Sequence, residues 1–154
     1  MLSTYIAHPR GLARATASGV RHIPDNTIWI DLLEPSAQEE RAIEQELGID
    51  IPSREEMREI ETSSRLYEED GMLFMTATVA AKLDTERPES TAVTFILSND
   101  RLITNRYIDT RPFRNFVSYA ERHPAACNSP VVILAGLMEA ITERIADTLE
   151  RVGN

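Results

Sequence analysis

The middle of the chain contains a series of strand-like runs, the two longest of them apolar, with very little sequence between them. They occupy residues 65–68, 72–81, 90–97 and 101–107. This composition predicts strands. Because the stretches between them are too short to hold a crossover helix, neighbouring strands are expected to run antiparallel. The pattern therefore predicts an antiparallel sheet at the centre of the fold.

Two helix starts stand before this sheet. Ser36 is followed three residues later by Glu39, which is the spacing of a capping box. Ser53 and Glu56 repeat the spacing and predict a second helix over residues 53–60. The amino-terminal half is therefore expected to contribute two short helices.

The ends of the chain complete this pattern. Residues 3–7 and 27–32 have the composition of strands, whereas residues 110–122 and 129–152 place apolar side chains at helical spacing. The residues therefore predict an α/β fold over residues 1–154, with two helices early, a mainly antiparallel central sheet and long helices at the C-terminus.

Composition excludes several classes of function. The formal net charge of -9 opposes binding to nucleic acid, so we expect no nucleic-acid partner. No apolar run reaches the roughly 20 residues that span a bilayer. Cys127 is the only cysteine, which indicates a reducing compartment, and Pro124 separates it from His123 in any helix. Since no phosphate loop, zinc pattern or nucleophile motif is present, we predict that the chain is not an enzyme.

Three carboxylates in the second predicted helix are candidate ligands for a divalent cation. Glu55 and Glu59 are four residues apart and would share a helix face, with Glu56 beside them. Mg²⁺ and Ca²⁺ prefer oxygen ligands. The alternative is a solvated face whose charge is offset by Arg54 and Arg58.

Several segments together resemble a known family. They are WIDLLEP at 29–35, SREEMREIE at 53–61, SSRLYEED at 63–70, TAVTFIL at 91–97 and RLIT at 101–104. In their order and spacing they resemble the amino-terminal cytoplasmic domain of the CorA-type magnesium and divalent-cation transporter family, particularly its proteobacterial branch.

The resemblance implies a fold and a setting. Such domains are α-β-α sandwiches that lead into a long stalk helix and then into the membrane, and the family assembles as homopentamers. This sequence has no Gly-Met-Asn signature, so we expect a single cytoplasmic domain truncated before the stalk and transmembrane helices. The full-length protein would then lie at the cytoplasmic face of the inner cell membrane, with other copies of itself as partners.

The resemblance also implies a regulatory ion. Weakly bound Mg²⁺, with Co²⁺ or Zn²⁺ as alternatives, would control the packing of the subunits. The matching position falls at Met57 or Glu56, and since a thioether is a poor Mg²⁺ ligand we favour Glu56, with Glu59 and Glu55. The alternative function is a stand-alone protein-interaction module that uses its C-terminal helix.

Overall fold

The computed structural model describes residues 1–15, 22–59, 61 and 65–153. The strands are β1 (Leu2–His8), β2 (Gly11–Ala15), β3 (Thr27–Leu33), β4 (Leu66–Glu69), β5 (Met72–Ala81), β6 (Glu89–Leu97) and β7 (Leu102–Arg106). The α-helices in the described residues are α1 (Ala37–Leu47), α2 (Arg111–Ala120) and α3 (Pro130–Gly153). Two 3-10 turns cover Glu56–Arg58 and Pro124–Ala126.

All seven strands form one sheet in the order β2-β1-β3-β7-β6-β5-β4. The neighbours from β4 to β7 pair antiparallel, as the short connections predict. The pair β3–β7 is parallel. That pairing joins segments separated by α1 and three strands, so nothing in the local sequence could indicate it.

The sheet is covered on both faces, which confirms the α-β-α sandwich. Because successive side chains of a strand point to opposite faces, β3 sends Trp29 toward α2 and α3 and Ile30 toward α1. The first face buries a cluster that includes Trp29, Phe95, Phe113, Phe116, Ile133 and Leu137. The second face buries Ile30, Leu32, Ile43, Phe74, Ile96 and Ile103.

Helix α1 has the termini that its sequence predicts. The Glu39 backbone N–H donates to Ser36 Oγ at 3.1 Å, and the Ser36 N–H donates to Glu39 Oε1 at 3.0 Å. Gly48 ends the helix with φ of 65°, and its N–H donates to the Glu44 carbonyl oxygen. The capping box and left-handed end together satisfy backbone groups that a helix leaves unpaired.

The second early helix was predicted wrongly as an α-helix over residues 53–60. The capping box does form, since the Glu56 N–H donates to Ser53 Oγ at 3.2 Å and the Ser53 N–H to Glu56 Oε1 at 3.3 Å. However, it opens only a 3-10 turn, and Glu59 is already extended, with φ of −60° and ψ of 135°. Met57 is the buried residue of the turn Glu56–Arg58, and a short helix has little stability without tertiary packing. The expected end at Ile60 lies outside the described residues.

Strand β2 was not predicted from the sequence. It pairs with β1 across the hairpin at His8 and Gly11. Gly11 has φ of 139°, and a Cβ atom there would lie 2.4 Å from the Glu121 carbonyl oxygen. The hairpin therefore needs a glycine both for its backbone conformation and for its close approach to the end of α2.

Candidate functional site

The predicted cation ligands lie on the exposed side of the 3-10 turn. Glu55, Glu56 and Glu59 are all exposed. The helix face that Glu55 and Glu59 were expected to share does not form, because Glu59 leaves the turn in an extended conformation. Glu56 uses one carboxylate oxygen to accept the Ser53 N–H. Among the described residues, Glu56 is the one of the three whose carboxylate has a hydrogen-bond partner.

The charge of Glu56 acts on Glu40 in helix α1. Burial raises the pKa of Glu40 above its ordinary value, and the negative charges of Glu44 and Glu56 raise that pKa further. Glu56 therefore adds to the negative charge around Glu40. Within the described ranges, no group of three or more His, Cys, Asp or Glu side chains is arranged to hold a metal ion.

The same segment also carries two arginines. Arg54 and Arg58, together with Arg65 before β4, line a cavity of about 320 Å³. The Arg54 guanidinium lies 4.9 Å above the centre of the Tyr107 ring. The sequence suggested only that Arg54 and Arg58 neutralise the neighbouring carboxylates. The structure instead separates them, with arginines toward the cavity and glutamates outside its lining.

A buried ion pair crosses the parallel strands β3 and β7. Arg106 Nε lies 3.0 Å from Asp31 Oδ1, and its Nη2 lies 2.8 Å from Asp31 Oδ2, so the guanidinium binds the carboxylate with two hydrogen bonds. Both side chains are almost completely buried. Burial alone would lower the pKa of Arg106, but the hydrogen bonds and charge of Asp31 outweigh it and raise the pKa.

The ion pair is part of a larger network on the face that α2 and α3 cover. Trp29 Nε1 donates to Thr104 Oγ1 at 3.0 Å, and the Thr104 hydroxyl donates to Asp31 Oδ1 at 2.7 Å. The Arg106 guanidinium lies 4.0 Å from the centre of the Phe113 ring in α2. The network therefore ties two strands to the first turn of α2.

The sequence contains one signal of this network, although the network itself was not predicted from it. Asp31 has apolar neighbours on both sides in β3, and a buried carboxylate is expected to have a charged or hydrogen-bonded partner. Its partner, Arg106, lies on a strand that pairs with β3 only in the tertiary structure. The position of Asp31 could have been noticed, but its partner could not have been identified.

The apolar stripe of α3 divides into a packed part and an exposed part. Ile133 and Leu137 are buried in the core, and Leu134, Met138 and Ile141 pack against it. The larger exposed apolar residues of this helix are Val131, Ile145, Leu149 and Val152. In the part of the chain that the structure describes, no helix combines the length and apolar character required to cross a bilayer.

Cys127 and His123 have separate environments. The Cys127 side chain is buried, which raises the pKa of its thiol, and its Sγ lies 3.6 Å from the Pro124 carbonyl oxygen. His123 Nδ1 lies 2.7 Å from the Tyr119 carbonyl oxygen, and its ring stacks on that of Tyr119. A buried thiol with a raised pKa has little thiolate to act as a nucleophile.

Comparison with known sequences gives a consistent result. A family model described as CorA-like Mg2+ transporter protein matches residues 24–154. A protein of Wolinella succinogenes, described as Magnesium transport protein CorA, is 33% identical over 133 residues, or 84% of this chain and 41% of that protein. A protein of Escherichia coli K12 with the same description is 28% identical over 127 residues, or 82% of this chain and 40% of that protein.

Solved structures show the same fold. The soluble domain of CorA from Methanocaldococcus jannaschii superposes with a TM-score of 0.69 at 16% identity, covering 98% of this chain and 60% of that one. The cytoplasmic domain of ZntB from Vibrio parahaemolyticus gives a TM-score of 0.73 at 13% identity, covering 98% and 61%. The chain spans about two fifths of the length of the curated relatives it matches.

Proposed function

Because the chain belongs to the CorA-like Mg2+ transporter protein family, we propose that it is the regulatory and assembly domain of a transporter for Mg²⁺ or a related divalent cation. The observation that carries this proposal is the family match over residues 24–154, joined to the fold that the chain shares with the CorA soluble domain. In the full-length protein the domain would lie at the cytoplasmic face of the cell membrane. Its partners would be other copies of the same chain, arranged as a pentamer.

The proposed regulatory ligand is Glu56, with Glu59 and Glu55 as further candidates. Glu56 is exposed, and only one of its carboxylate oxygens accepts the Ser53 N–H, so the other can face an ion. The nearby negative charge of Glu40 favours a cation at this position. Mg²⁺ retains several waters and is commonly held by one or two carboxylates, so we expect weak binding.

Thermal unfolding in Mg²⁺ at constant ionic strength tests the ion site. An ion at its dissociation constant stabilises the folded chain by about 0.4 kcal/mol, which raises Tm by about one degree. Glu56→Gln combined with Glu59→Gln should abolish this rise. The matched control is Glu139→Gln with Glu143→Gln, which removes two exposed carboxylates of α3 and should leave the rise unchanged. An equal loss in both double variants would contradict a specific site and indicate general charge neutralisation.

Sedimentation velocity over a range of concentrations tests the assembly role. If the domain contributes to assembly, self-association should increase with concentration and should change when Mg²⁺ is added. Ile145 and Leu149 are exposed apolar residues of α3, and Leu149→Glu should weaken an association that uses this face. A chain that stays monomeric at every concentration, with and without Mg²⁺, would argue against an assembly role for this part of the protein.

The alternative of a free-standing interaction module is not favoured. It rested on the apolar stripe of α3, and the structure shows that Ile133 and Leu137 of that helix belong to the core of the domain. The family match also extends through this helix to residue 154.

A further inference from the structure

The cavity beside the 3-10 turn carries a charge opposite to that of the whole chain. Its charged lining consists of Arg54, Arg58, Arg65 and Glu89, in a protein whose formal net charge is -9. Glu89 also forms an ion pair with Lys82, which offsets part of the negative charge that Glu89 brings to the cavity. The cavity is therefore a local positive site on an acidic protein.

The local geometry explains how this charge is concentrated. Arg54, Met57 and Arg58 all line the cavity, whereas Glu55, Glu56 and Glu59 do not. Met57 is buried and acts as the anchor of the turn, which leaves the flanking arginines at the cavity. At the cavity, the arginines of this segment are thereby separated from its glutamates.

The arginines keep hydrogen-bond donors for a ligand. Arg65 Nη1 donates to Thr78 Oγ1 at 3.2 Å and to the Thr76 carbonyl oxygen at 3.5 Å. Because a guanidinium has five N–H donors, Arg65 retains donors for a ligand. Arg54 is held over the Tyr107 ring. Among the described residues, Arg58 forms no ion pair. The hydroxyl groups at the cavity belong to Thr78, Ser90, Thr91 and Tyr107.

We propose that this cavity binds the phosphate group of a small soluble molecule, with Arg54, Arg58 and Arg65 as its ligands. Guanidinium groups match the oxygens of phosphate with paired, charge-assisted hydrogen bonds, and the neighbouring hydroxyls add further donors. A volume of about 320 Å³ is at the small end of ligand pockets, so the cavity suits inorganic phosphate or a small phosphomonoester. The proposed cation ligand Glu56 does not line this cavity.

Nearby acids limit the strength of this binding. The pKa of Tyr107 is raised first by burial and also by the charge of Glu40, while Arg54 acts in the opposite direction. Glu89 lines the cavity itself, so the negative charges of Glu89 and Glu40 both act against a bound anion. For this reason we expect a dissociation constant of roughly millimolar size.

The test is calorimetric titration of the 154-residue chain with inorganic phosphate, and separately with glycerol 3-phosphate, each against chloride at equal ionic strength. We expect saturable binding of at least one of them. Arg54→Gln and Arg58→Gln should each weaken it about tenfold, which is the effect of losing one charge-assisted hydrogen bond. Arg41→Gln is the matched control, because it removes an exposed arginine of α1 outside the cavity, and it should bind as the parent chain does.

Two results would overturn the proposal. One is the absence of saturable binding for both phosphate compounds. The other is equal affinity in the Arg58→Gln and Arg41→Gln variants, which would assign the effect to general screening of surface charge. Circular dichroism of each variant shows that it is folded, and the Arg58 variant is the most informative because its side chain forms no ion pair among the described residues.

Discussion

Replacing Arg106 with methionine should destabilise this protein more than replacing an exposed arginine. The Asp31 and Arg106 side chains are only 4% and 7% exposed, and two hydrogen bonds join them. Removing the guanidinium leaves a buried carboxylate whose described side-chain partner is the Thr104 hydroxyl. Breaking a buried pair in this way costs about 3–5 kcal/mol, which is a large part of the stability of an ordinary domain.

Urea denaturation followed by circular dichroism measures this loss. With a slope of about 2 kcal/mol per molar, a loss of about 4 kcal/mol lowers the urea midpoint by about 2 M. Arg114→Met is the matched control, because Arg114 pairs with Asp109 at 3.1 Å but is 55% exposed. Exposed pairs contribute about 0–1 kcal/mol, so the control should shift the midpoint by less than about 0.5 M.

A second substitution separates the ion pair from simple loss of packing. Asp31→Asn removes the carboxylate charge but retains an oxygen that can accept the Thr104 hydroxyl. Combined with Arg106→Met, it should restore a large part of the lost stability, because no unpaired charge then remains in the core. The reasoning is refuted if Arg106→Met costs no more than Arg114→Met, or if the double variant is as unstable as Arg106→Met alone.

Two further predictions concern α3 and α1. Gly136→Ala should lower the free energy of unfolding, measured in urea, by about 1–2 kcal/mol, because the new Cβ would lie 2.4 Å from Cε2 of the buried Phe116 ring. Gly153→Ala is the control: it has open space around it and should leave the free energy of unfolding unchanged. Burial tends to raise the pKa of Glu39, but hydrogen bonds from Ser36 and the charge of the amino terminus outweigh it and lower this pKa below 4.5. The ionised Glu39 carboxylate therefore stabilises the folded chain above pH 4.5, and this stabilisation is lost as the pH falls through the lowered pKa. Glu39→Gln should therefore flatten the pH dependence of Tm below pH 4.5 relative to Glu55→Gln, and an unchanged profile would contradict this assignment.

Elements whose information is local were predicted well from the sequence. Strands β5, β6 and β7 follow one another through short connections, so their composition and order were sufficient to predict both the strands and their antiparallel pairing. Helix α1 has a capping box at Ser36 and a glycine at its end, both of which are short-range signals. The same kind of signal at Ser53 correctly predicted a capping box but not the length of the helix.

The tertiary structure decided which distant residues meet. Strand β7 pairs with β3 only when the chain between them has folded back, so the partnership of Asp31 and Arg106 has no local signature. Arg58 lines the cavity and Glu56 does not, and the turn that carries them is anchored by the buried Met57, which contacts the amide of Asn105. The sequence by itself determined the local elements and the family resemblance, since both depend on residue order and spacing. Only the fold determined which charges are buried, exposed or gathered around a cavity, because electrostatic environment depends on neighbours in space.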